Sequence, residues 1–251
     1  MTSTVSTADL WIRRYATAEP GAPKLVCLPH AGGSATFYVP MARALAPHCE
    51  VLAVQYPGRQ DRLAEPRLES LDALADRIVP LLLPYAEDGL ALFGHSMGAT
   101  LAFEVARLLE EAGAVPLALF ASGRAAPSRL PAGGTVHQGT DAELAARLRV
   151  LGGTYAPVLD DPELLELTLP AVRSDYKAAE TYRYRPGAPL TCPVHVLTGD
   201  QDPMVTDADA RAWAEHTSGP FALDTYAGGH FFLAHHQAPI LASVTARLSR
   251  A

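Results

Sequence analysis

Six short apolar runs recur along the 251-residue sequence, and their spacing most constrains the fold. In order they are "KLVCL" (24–28), "VLAVQY" (51–56), "LALF" (90–93), "PLALFA" (116–121), "VHVLTG" (194–199) and "FALDTY" (221–226). The first five contain almost no polar residues, which is typical of parallel strands covered on both faces. A further segment, "LWIRRY" (10–15), predicts an edge strand. Because the runs alternate with helical patterns, we expect an α/β fold with a mostly parallel central sheet flanked by helices.

Helical patterns fill most of the intervals between these runs. We expect helices over residues 68–85, 97–112, 207–217 and 238–250. Pro80 is expected to end or kink the first helix, because a proline ring clashes with the preceding turn. Gly113 follows the second helix and is a typical helix C-terminus.

One long segment interrupts the alternation of strands and helices. Residues 124–186 contain no strand pattern, but they include a helix near 141–151 and a longer one over about 162–183, with Pro170 as a potential break. An insertion with helices of its own, placed where a strand ends, predicts a helical lid within a single domain spanning residues 1–251. The alternative is a small packing subdomain without a gating role.

The composition is that of an ordinary globular protein, with 49% hydrophobic and 19% charged residues. The formal net charge of −7 gives no electrostatic reason to expect binding to nucleic acid or to an anionic membrane. No apolar run reaches the length of a membrane span. The three cysteines, Cys27, Cys49 and Cys192, are odd in number and far apart, which predicts buried thiols in a cytoplasmic protein.

The stretch "LFGHSMGAT" (92–100) places Ser96 between Gly94 and Gly98. Chance alone would produce a G-x-S-x-G pattern in roughly one chain in ten of this length. Here the pattern lies between a predicted strand and a predicted helix, which is the setting of a nucleophile elbow. The helix N-terminus would also favour a developing negative charge. The motif therefore predicts that Ser96 is a nucleophile.

A serine nucleophile needs a base, and the base needs an acid. In this architecture the acid and then the histidine follow the serine along the chain. The loop after the fifth run contains Asp200 and Asp202, and the Gly-Gly turn after the sixth and last run contains His230. We expect His230 to be the base and Asp202 the acid, because Asp200 lies so close to the strand that it could simply form an Asx turn.

Other histidines lie near the predicted site. His235 and His236 follow His230, but no H-E-x-x-H or C-x-x-C motif accompanies them, so we expect no metal site. His95 lies within the elbow, and we expect it to pack as a neutral side chain.

An oxyanion hole requires two backbone donors. The first is expected to be the N–H of Met97, the residue after the nucleophile. The loop "LPHAGGSA" (28–35) follows an earlier strand, and Ala31 in this loop is the candidate for the second donor. His30 is expected to orient the loop and to contact substrate. A plain glycine turn is the alternative interpretation.

Six segments together resemble the type II thioesterases, which are α/β-hydrolases that accompany modular polyketide and nonribosomal peptide synthases. They are "LPHAGGSATFY", "VQYPGRQDR", "FGHSMGA", "SDYKAAETY", "GDQDP" and "GGHFFL". The matches extend from about residue 10 to the C-terminus. The triad positions agree with the family pattern.

The resemblance implies an α/β-hydrolase fold and a substrate carried as a thioester on the phosphopantetheine arm of an acyl or peptidyl carrier protein. It also implies an editing role, in which stalled or wrong acyl groups are removed from the synthase. We expect a monomer that requires no cofactor. Arg59 and Arg62 either meet the phosphate of the arm or are solvated loop residues. A general carboxylesterase or an acyltransferase using the same triad is the alternative function.

Apolar residues in the predicted lid suggest how it contacts an acyl chain. We expect an inner surface that lines an acyl chamber, formed by Leu164, Leu165, Leu167, Leu169 and Val172. The alternative is that these side chains only dock the lid onto the rest of the domain. In the first case, opening would admit the arm and closing would exclude water.

Overall fold

A computed structural model describes residues 6–131, 133–152 and 159–248, and in these residues seven strands form one sheet. The strands are β1 (Ile12–Arg13), β2 (Lys24–Leu28), β3 (Glu50–Val54), β4 (Leu90–His95), β5 (Leu119–Ser122), β6 (Val194–Gly199) and β7 (Phe221–Tyr226). Their order across the sheet is β1-β3-β2-β4-β5-β6-β7. Only β1 runs antiparallel to its neighbour, so the mostly parallel sheet expected from the sequence is confirmed.

The burial of the strands explains the apolar runs. Every residue of β2, β4, β5 and β6 is buried, because these strands lie inside the sheet with helices on both faces. Most of β7 is only half-buried, because it lies at the sheet edge. The segment expected to form strand 10–15 is shorter than predicted. Only Ile12 and Arg13 pair with β3, and the residues before them form a short helix capped by the Ser6 hydroxyl.

Helices cover the two faces of the sheet. In the described residues they are α1 (Thr7–Trp11), α2 (Val39–Leu45), α3 (Leu71–Leu82), α4 (Met97–Glu111), α5 (Asp141–Leu151), α6 (Pro162–Thr181), α7 (Asp207–Arg211) and α8 (Gln237–Leu248). Side-chain oxygens of Ser70, Thr140, Asp161 and Thr206 accept hydrogen bonds from backbone N–H groups in the first turns of α3, α5, α6 and α7. These caps satisfy donors that have no partner within the helix.

Two prolines have less effect on the helices than the sequence suggested. Pro80 lies inside α3, which continues to Leu82 before a 3₁₀ turn begins. Pro170 lies inside α6, which continues to Thr181. Both helices bury an apolar stripe against the core, and this packing offsets the hydrogen bond that each proline removes.

The core consists of two clusters, one on each face of the sheet. Alternate residues of a strand point to opposite faces, so Leu92 belongs to the cluster beneath α3 and α4, and Phe93 belongs to the one beneath α2 and α8. Trp213 fills the first cluster and Phe120 the second, and neither side chain is exposed.

The described part of residues 124–186 contains no strand, in agreement with the sequence. Helices α5 and α6 dock onto the second cluster through Leu144, Leu148, Leu169 and Val172, all of which are buried. The second half of α6 is the more deeply buried half, whereas Leu164 and Leu167 in its first half are exposed. A gating role for this segment stays a prediction. No helix within the described ranges combines the length and the apolar character needed to cross a bilayer.

Candidate active site

Ser96 lies on a sharp turn between β4, which ends at His95, and α4, which begins at Met97. Its backbone has φ 55° and ψ −120°, and Gln60 is the other non-glycine residue with a positive φ in the described chain. A residue in such a conformation costs of order 1–3 kcal/mol, so the surrounding structure must enforce it. The Ser96 N–H donates to the Ser122 carbonyl of β5 at 2.8 Å. The turn therefore projects the serine side chain above the C-terminal edge of the sheet.

Gly94 and Gly98 are required at this turn because backbone atoms approach them closely. A Cβ added to Gly98 would lie 2.0 Å from the carbonyl oxygen of Leu28, and one added to Gly94 would lie 2.1 Å from the carbonyl oxygen of Gly98. Real Cβ contacts are never this short. The two glycines thus allow β2, β4 and α4 to meet beneath Ser96.

His230 and Asp202 form a buried pair at the ends of β7 and β6. The Nδ1 atom of His230 lies 2.8 Å from Oδ2 of Asp202, and the two side chains are 3% and 0% exposed. The other carboxylate oxygen, Oδ1, accepts the backbone N–H of Met204 at 2.8 Å. When Nδ1 carries the proton and donates to the carboxylate, Nε2 keeps its lone pair and can accept a proton.

Asp200 has a different role from Asp202 in the structure. Its Oδ1 accepts the backbone N–H of Gly228 at 2.8 Å, so it fixes the turn that contains His230 and does not contact the imidazole. The sequence left both aspartates as candidates for the acid and favoured Asp202. The hydrogen bonding agrees with that choice.

One small cavity brings together the predicted residues. Its volume is about 50 Å³, and its lining includes Ser96, Met97, Ala31, His30 and His230. The predicted nucleophile, the predicted base and both expected oxyanion donors therefore lie at one site. Met97 is the first residue of α4, where backbone N–H groups lack partners within the helix.

Tyrosine and glutamine side chains hold the loop that contains Ala31. The hydroxyl of Tyr38 donates to the Leu28 carbonyl at 2.8 Å, and that of Tyr56 donates to the Pro29 carbonyl at 3.1 Å. The Gln55 side-chain oxygen accepts the N–H of Ala35 at 2.8 Å. The loop is thus fixed at its start and at its end.

Asp175 of α6 and Arg59 hold the middle of the same loop. Oδ2 of Asp175 accepts the N–H of Gly32 at 2.7 Å, and Nη1 of Arg59 donates to the Gly33 carbonyl at 2.9 Å. No role for Asp175 was predicted from the sequence. Arg59 and Arg62 were expected either to meet a phosphate or to be solvated. Both are buried, so the solvated alternative is wrong, whereas contact with the phosphate of the arm stays a prediction.

Both arginines are buried and paired with carboxylates. Arg59 is 6% exposed and forms a bidentate pair with Asp175. Arg62 is 3% exposed and pairs with Glu65 at 2.6 Å. A loop arginine is usually solvated, but here each guanidinium pairs with a carboxylate, which offsets part of the cost of burying its charge.

Two buried histidines line or support the site in the neutral form. His30 packs against Phe37 and Phe231, and burial lowers its pKa to about 3, with the charges of His230 and Arg59 acting in the same direction. Burial also lowers the pKa of His95 well below its usual value, and Nδ1 of His95 lies 3.0 Å from the Ser122 hydroxyl. His30 lines the cavity at Ser96, and its expected roles in orienting the loop and contacting substrate stay predictions.

The expected lid residues are divided between the core and the surface. Leu169 and Val172 are buried in the second core cluster, and Leu165 packs against it. Leu164 is 46% exposed and does not line the cavity at Ser96. Leu167 lines a neighbouring cavity of about 530 Å³, which shares His30 with the cavity at Ser96.

The remaining histidines do not form a cluster that could bind metal. His235 is exposed, and Nε2 of His236 lies 2.8 Å from the Ala227 carbonyl. Across the described ranges, no group of three or more His, Cys, Asp or Glu side chains is arranged to hold a metal ion.

Comparisons with known proteins identify the family of the chain. The sequence profile of the thioesterase domain family matches residues 23–248. The thioesterase PikA5 of Streptomyces venezuelae is 54% identical over 228 residues, which cover 90% of this chain and 81% of that protein.

Solved structures extend the comparison to the fold. The type II thioesterase BorB from the borrelidin biosynthetic cluster has a TM-score of 0.92 and 60% identity, covering 97% of this chain and 99% of that one. YbtT, a type II thioesterase from the yersiniabactin NRPS/PKS pathway, has a TM-score of 0.85 and 29% identity, covering 96% of this chain and 98% of that one. The chain therefore has an α/β-hydrolase fold and belongs to the thioesterase family, among the type II thioesterases of polyketide and nonribosomal peptide biosynthesis.

Proposed function

We propose that this chain hydrolyses acyl thioesters on the phosphopantetheine arm of acyl or peptidyl carrier proteins, with Ser96 as nucleophile, His230 as base and Asp202 as the orienting acid. The observation that carries the proposal is the hydrogen bond from His230 to Asp202 beside a cavity that His230 shares with Ser96. A carboxylate on Nδ1 leaves the opposite ring nitrogen available to the serine, which is the arrangement that activates a hydroxyl.

Acylation would begin with transfer of the Ser96 proton to Nε2 of His230. The serine Oγ then attacks the thioester carbonyl, and the oxyanion receives hydrogen bonds from the N–H groups of Met97 and Ala31. Asp202 stabilises the imidazolium without taking its proton. Collapse of the tetrahedral intermediate breaks the C–S bond, and the leaving sulfur takes the proton from Nε2 of His230. The pantetheine leaves as a thiol, with an acyl ester on Ser96 and a neutral His230.

Deacylation repeats the same steps with water as the nucleophile. His230 takes a proton from the water, the hydroxide attacks the ester carbonyl, and the same two N–H groups stabilise the second oxyanion. The proton then passes from His230 to Ser96 Oγ as the ester bond breaks. The products are the free acid and the regenerated serine.

We further propose that the partner is a carrier domain of a synthase and that the role is to edit stalled or misprimed acyl groups. Proteins of similar sequence come from biosynthetic clusters of this kind, as the names of BorB and YbtT state. The 530 Å³ cavity next to the site offers room for part of the arm or the acyl chain, and helix α6 of the candidate lid borders it.

The test compares wild type with Ser96→Ala on an acyl-loaded carrier protein and on the matching acyl oxygen ester, with released acid measured by mass spectrometry. We expect wild type to release acid from the carrier, and Ser96→Ala to lose this activity by about 10³-fold or more. Weak wild-type activity on the oxygen ester would exclude a general carboxylesterase. Transfer of the acyl group to an added amine or alcohol in place of water would indicate an acyltransferase and contradict hydrolytic editing.

A further inference from the structure

His95 is the last residue of β4 and lies directly before Ser96, with its side chain fully buried. Its ring packs against the ring of His230, with the two centroids 5.1 Å apart, and against the ring of Phe231 at 5.2 Å. The proposed base therefore has a second imidazole as a direct neighbour.

Two residues at the end of β5 fix the ring of His95. Its Nδ1 lies 3.0 Å from the hydroxyl of Ser122, which is also fully buried. Gly123 follows with φ 60°, and a Cβ there would lie 2.7 Å from Cε1 of His95 and 3.6 Å from Cε1 of His230. A side chain at this position would displace His95, so the glycine allows the two rings to meet.

The other ring nitrogen of His95, Nε2, is buried and has no hydrogen-bond partner within the described ranges. The rings packed around His95 form an aromatic cluster, which consists of His30, Phe37, His230, Phe231 and Phe232. A phenylalanine side chain could fill this space without leaving a polar atom unsatisfied. Because folded proteins retain few such atoms, the nitrogen indicates a role beyond packing.

His95 stays neutral, whereas His230 gains a positive charge when it accepts a proton. Burial lowers the pKa of His95 well below its usual value, and the charges of His230 and His30 act in the same direction. Within the aromatic cluster, the charge that develops during catalysis therefore belongs to His230 and not to His95.

Other titratable groups also surround His230. They bind it, pack near it or line the cavity that it shares with Ser96, and they are His30, Arg124, Tyr176 and Asp202. In the described part of the chain, only Asp202 hydrogen-bonds to a ring nitrogen of His230. An effect of His95 on His230 would thus act through space, between two adjacent rings.

The tautomer of His95 decides the sign of this effect. A hydroxyl can donate or accept, so Ser122 alone allows the proton on either ring nitrogen. A proton on Nε2 would bring the positive end of an N–H dipole into the dry cluster in which His230 becomes charged, which is unfavourable. The tautomer with the proton on Nδ1 instead leaves a lone pair on Nε2.

We propose that His95 is a positioning residue for the base: Ser122 holds its proton on Nδ1, and the lone pair on Nε2 favours the imidazolium that His230 forms during catalysis. His95 itself exchanges no proton. The inference rests on the proposed function, in which His230 is the base. A dipole that is already oriented in a buried site needs no reorganisation when charge develops, so its effect should appear in kcat.

The experiment measures the pH dependence of kcat and kcat/KM for one acyl group on a carrier protein. His95→Phe keeps an aromatic ring and removes both nitrogens, and Ser122→Ala removes the hydroxyl that holds the tautomer. His195→Phe is the matched control, because His195 is a buried histidine of β6 that pairs with Asp224 and does not line the cavity at Ser96.

We expect His95→Phe to lower kcat by about 3-fold to 10-fold. It should also shift the acidic limb of the kcat/KM profile to lower pH by about half a unit to one unit, because the imidazolium of His230 loses stabilisation. Ser122→Ala should shift the limb in the same direction by a smaller amount. His195→Phe should leave the limb in place.

The outcomes separate the two proposals. A decrease in kcat with an unmoved acidic limb would show that His95 only packs, and a shift to higher pH would place the proton on Nε2. Either result overturns the inference and leaves the proposed function intact. Failure of wild type to hydrolyse the carrier-bound group, or full activity in Ser96→Ala, overturns the proposed function itself. If His95→Phe does not fold, Ser122→Ala decides, and an unmoved limb in that variant overturns the inference.

Discussion

Arg59 and Asp175 lie 116 positions apart in the chain and form a buried bidentate ion pair, with N–O distances of 2.6 and 2.8 Å. The same aspartate accepts the N–H of Gly32, and the same arginine donates to the carbonyl of Gly33. The pair therefore connects α6 to the loop that contains Ala31. Because the proposed oxyanion donor lies one residue before Gly32, the geometry of this pair bears directly on catalysis.

Asp175→Asn is expected to lower kcat by about 10-fold or more with a smaller change in KM. The amide keeps an acceptor for the Gly32 N–H but loses the charge that balances Arg59, so the loop that contains Ala31 should shift. Because oxyanion donors act mainly in the transition state, the shift should lower kcat more than it changes KM. Steady-state kinetics, measured below the thermal transition of the variant, give the two constants.

Lys177→Gln is the matched control, because Lys177 is on the same helix and forms an exposed ion pair with Glu69. Its loss should change stability by less than about 1 kcal/mol and leave kcat unchanged. An unchanged kcat in Asp175→Asn would show that the pair has only a structural role.

Asp202 and Asp200 provide a second matched pair. Asp202→Asn is expected to lower kcat by about 10³-fold to 10⁴-fold, because an amide favours the wrong tautomer of His230 and does not stabilise the imidazolium. Asp200→Asn keeps an oxygen acceptor for the Gly228 N–H and should retain most of the activity. A larger decrease in kcat for Asp200→Asn than for Asp202→Asn would assign the role of the acid to Asp200.

The strained backbone of Ser96 predicts a stability difference that is separate from catalysis. Ser96→Gly should be more stable than Ser96→Ala by about 1 kcal/mol or more, because glycine tolerates positive φ. In helix α8 the order should reverse, with Ser243→Gly less stable than Ser243→Ala by about 1 kcal/mol. Urea denaturation of the four variants gives the stability difference between the Gly and Ala variants at each position. If the Ala variant were the more stable one at both positions, strain at Ser96 would be contradicted.

Burial of His30 and His95 predicts a loss of stability in acid. Both pKa values are lowered in the folded protein, that of His30 to about 3, whereas the unfolded chain has ordinary histidines near 6.5. Between those values the unfolded chain binds protons that the folded protein does not. The free energy of unfolding should therefore fall as pH decreases below about 6.5, by up to about 1.4 kcal/mol per pH unit for each histidine.

Denaturation midpoints between pH 7 and pH 4 measure this slope. His30→Gln should make the slope shallower, while His235→Gln, at an exposed position, should not alter it. An unchanged slope in His30→Gln would mean that His30 becomes protonated in the folded protein.

Local patterns in the sequence account for much of the fold. The bounds of β2, β6 and β7 agree with the predicted strands 24–28, 194–199 and 221–226. Strand 10–15 was less well predicted. The Ser6 side chain caps the first turn of α1, which favours a helix over Thr7–Trp11 and leaves only Ile12 and Arg13 for the strand.

The order of Ser96, Asp202 and His230 was predictable because the C-terminal ends of parallel strands share one edge of the sheet. The pair of Arg59 with Asp175 was not, since no spacing rule relates residues so far apart in the chain. Such features follow from tertiary packing and not from local pattern.

Two exposed leucines of α6 test whether the neighbouring cavity belongs to the substrate path. Leu167 is 55% exposed and lines the 530 Å³ cavity, whereas Leu164 is 46% exposed and does not line it. A carboxylate in an apolar binding surface is costly to desolvate, so Leu167→Glu should lower kcat/KM for a carrier-bound acyl group by about 10-fold. Leu164→Glu adds the same charge to the same helix and should leave kcat/KM within about twofold of wild type. Equal losses in both variants would indicate a general effect of charge on docking, and the absence of any loss would place substrate outside this cavity.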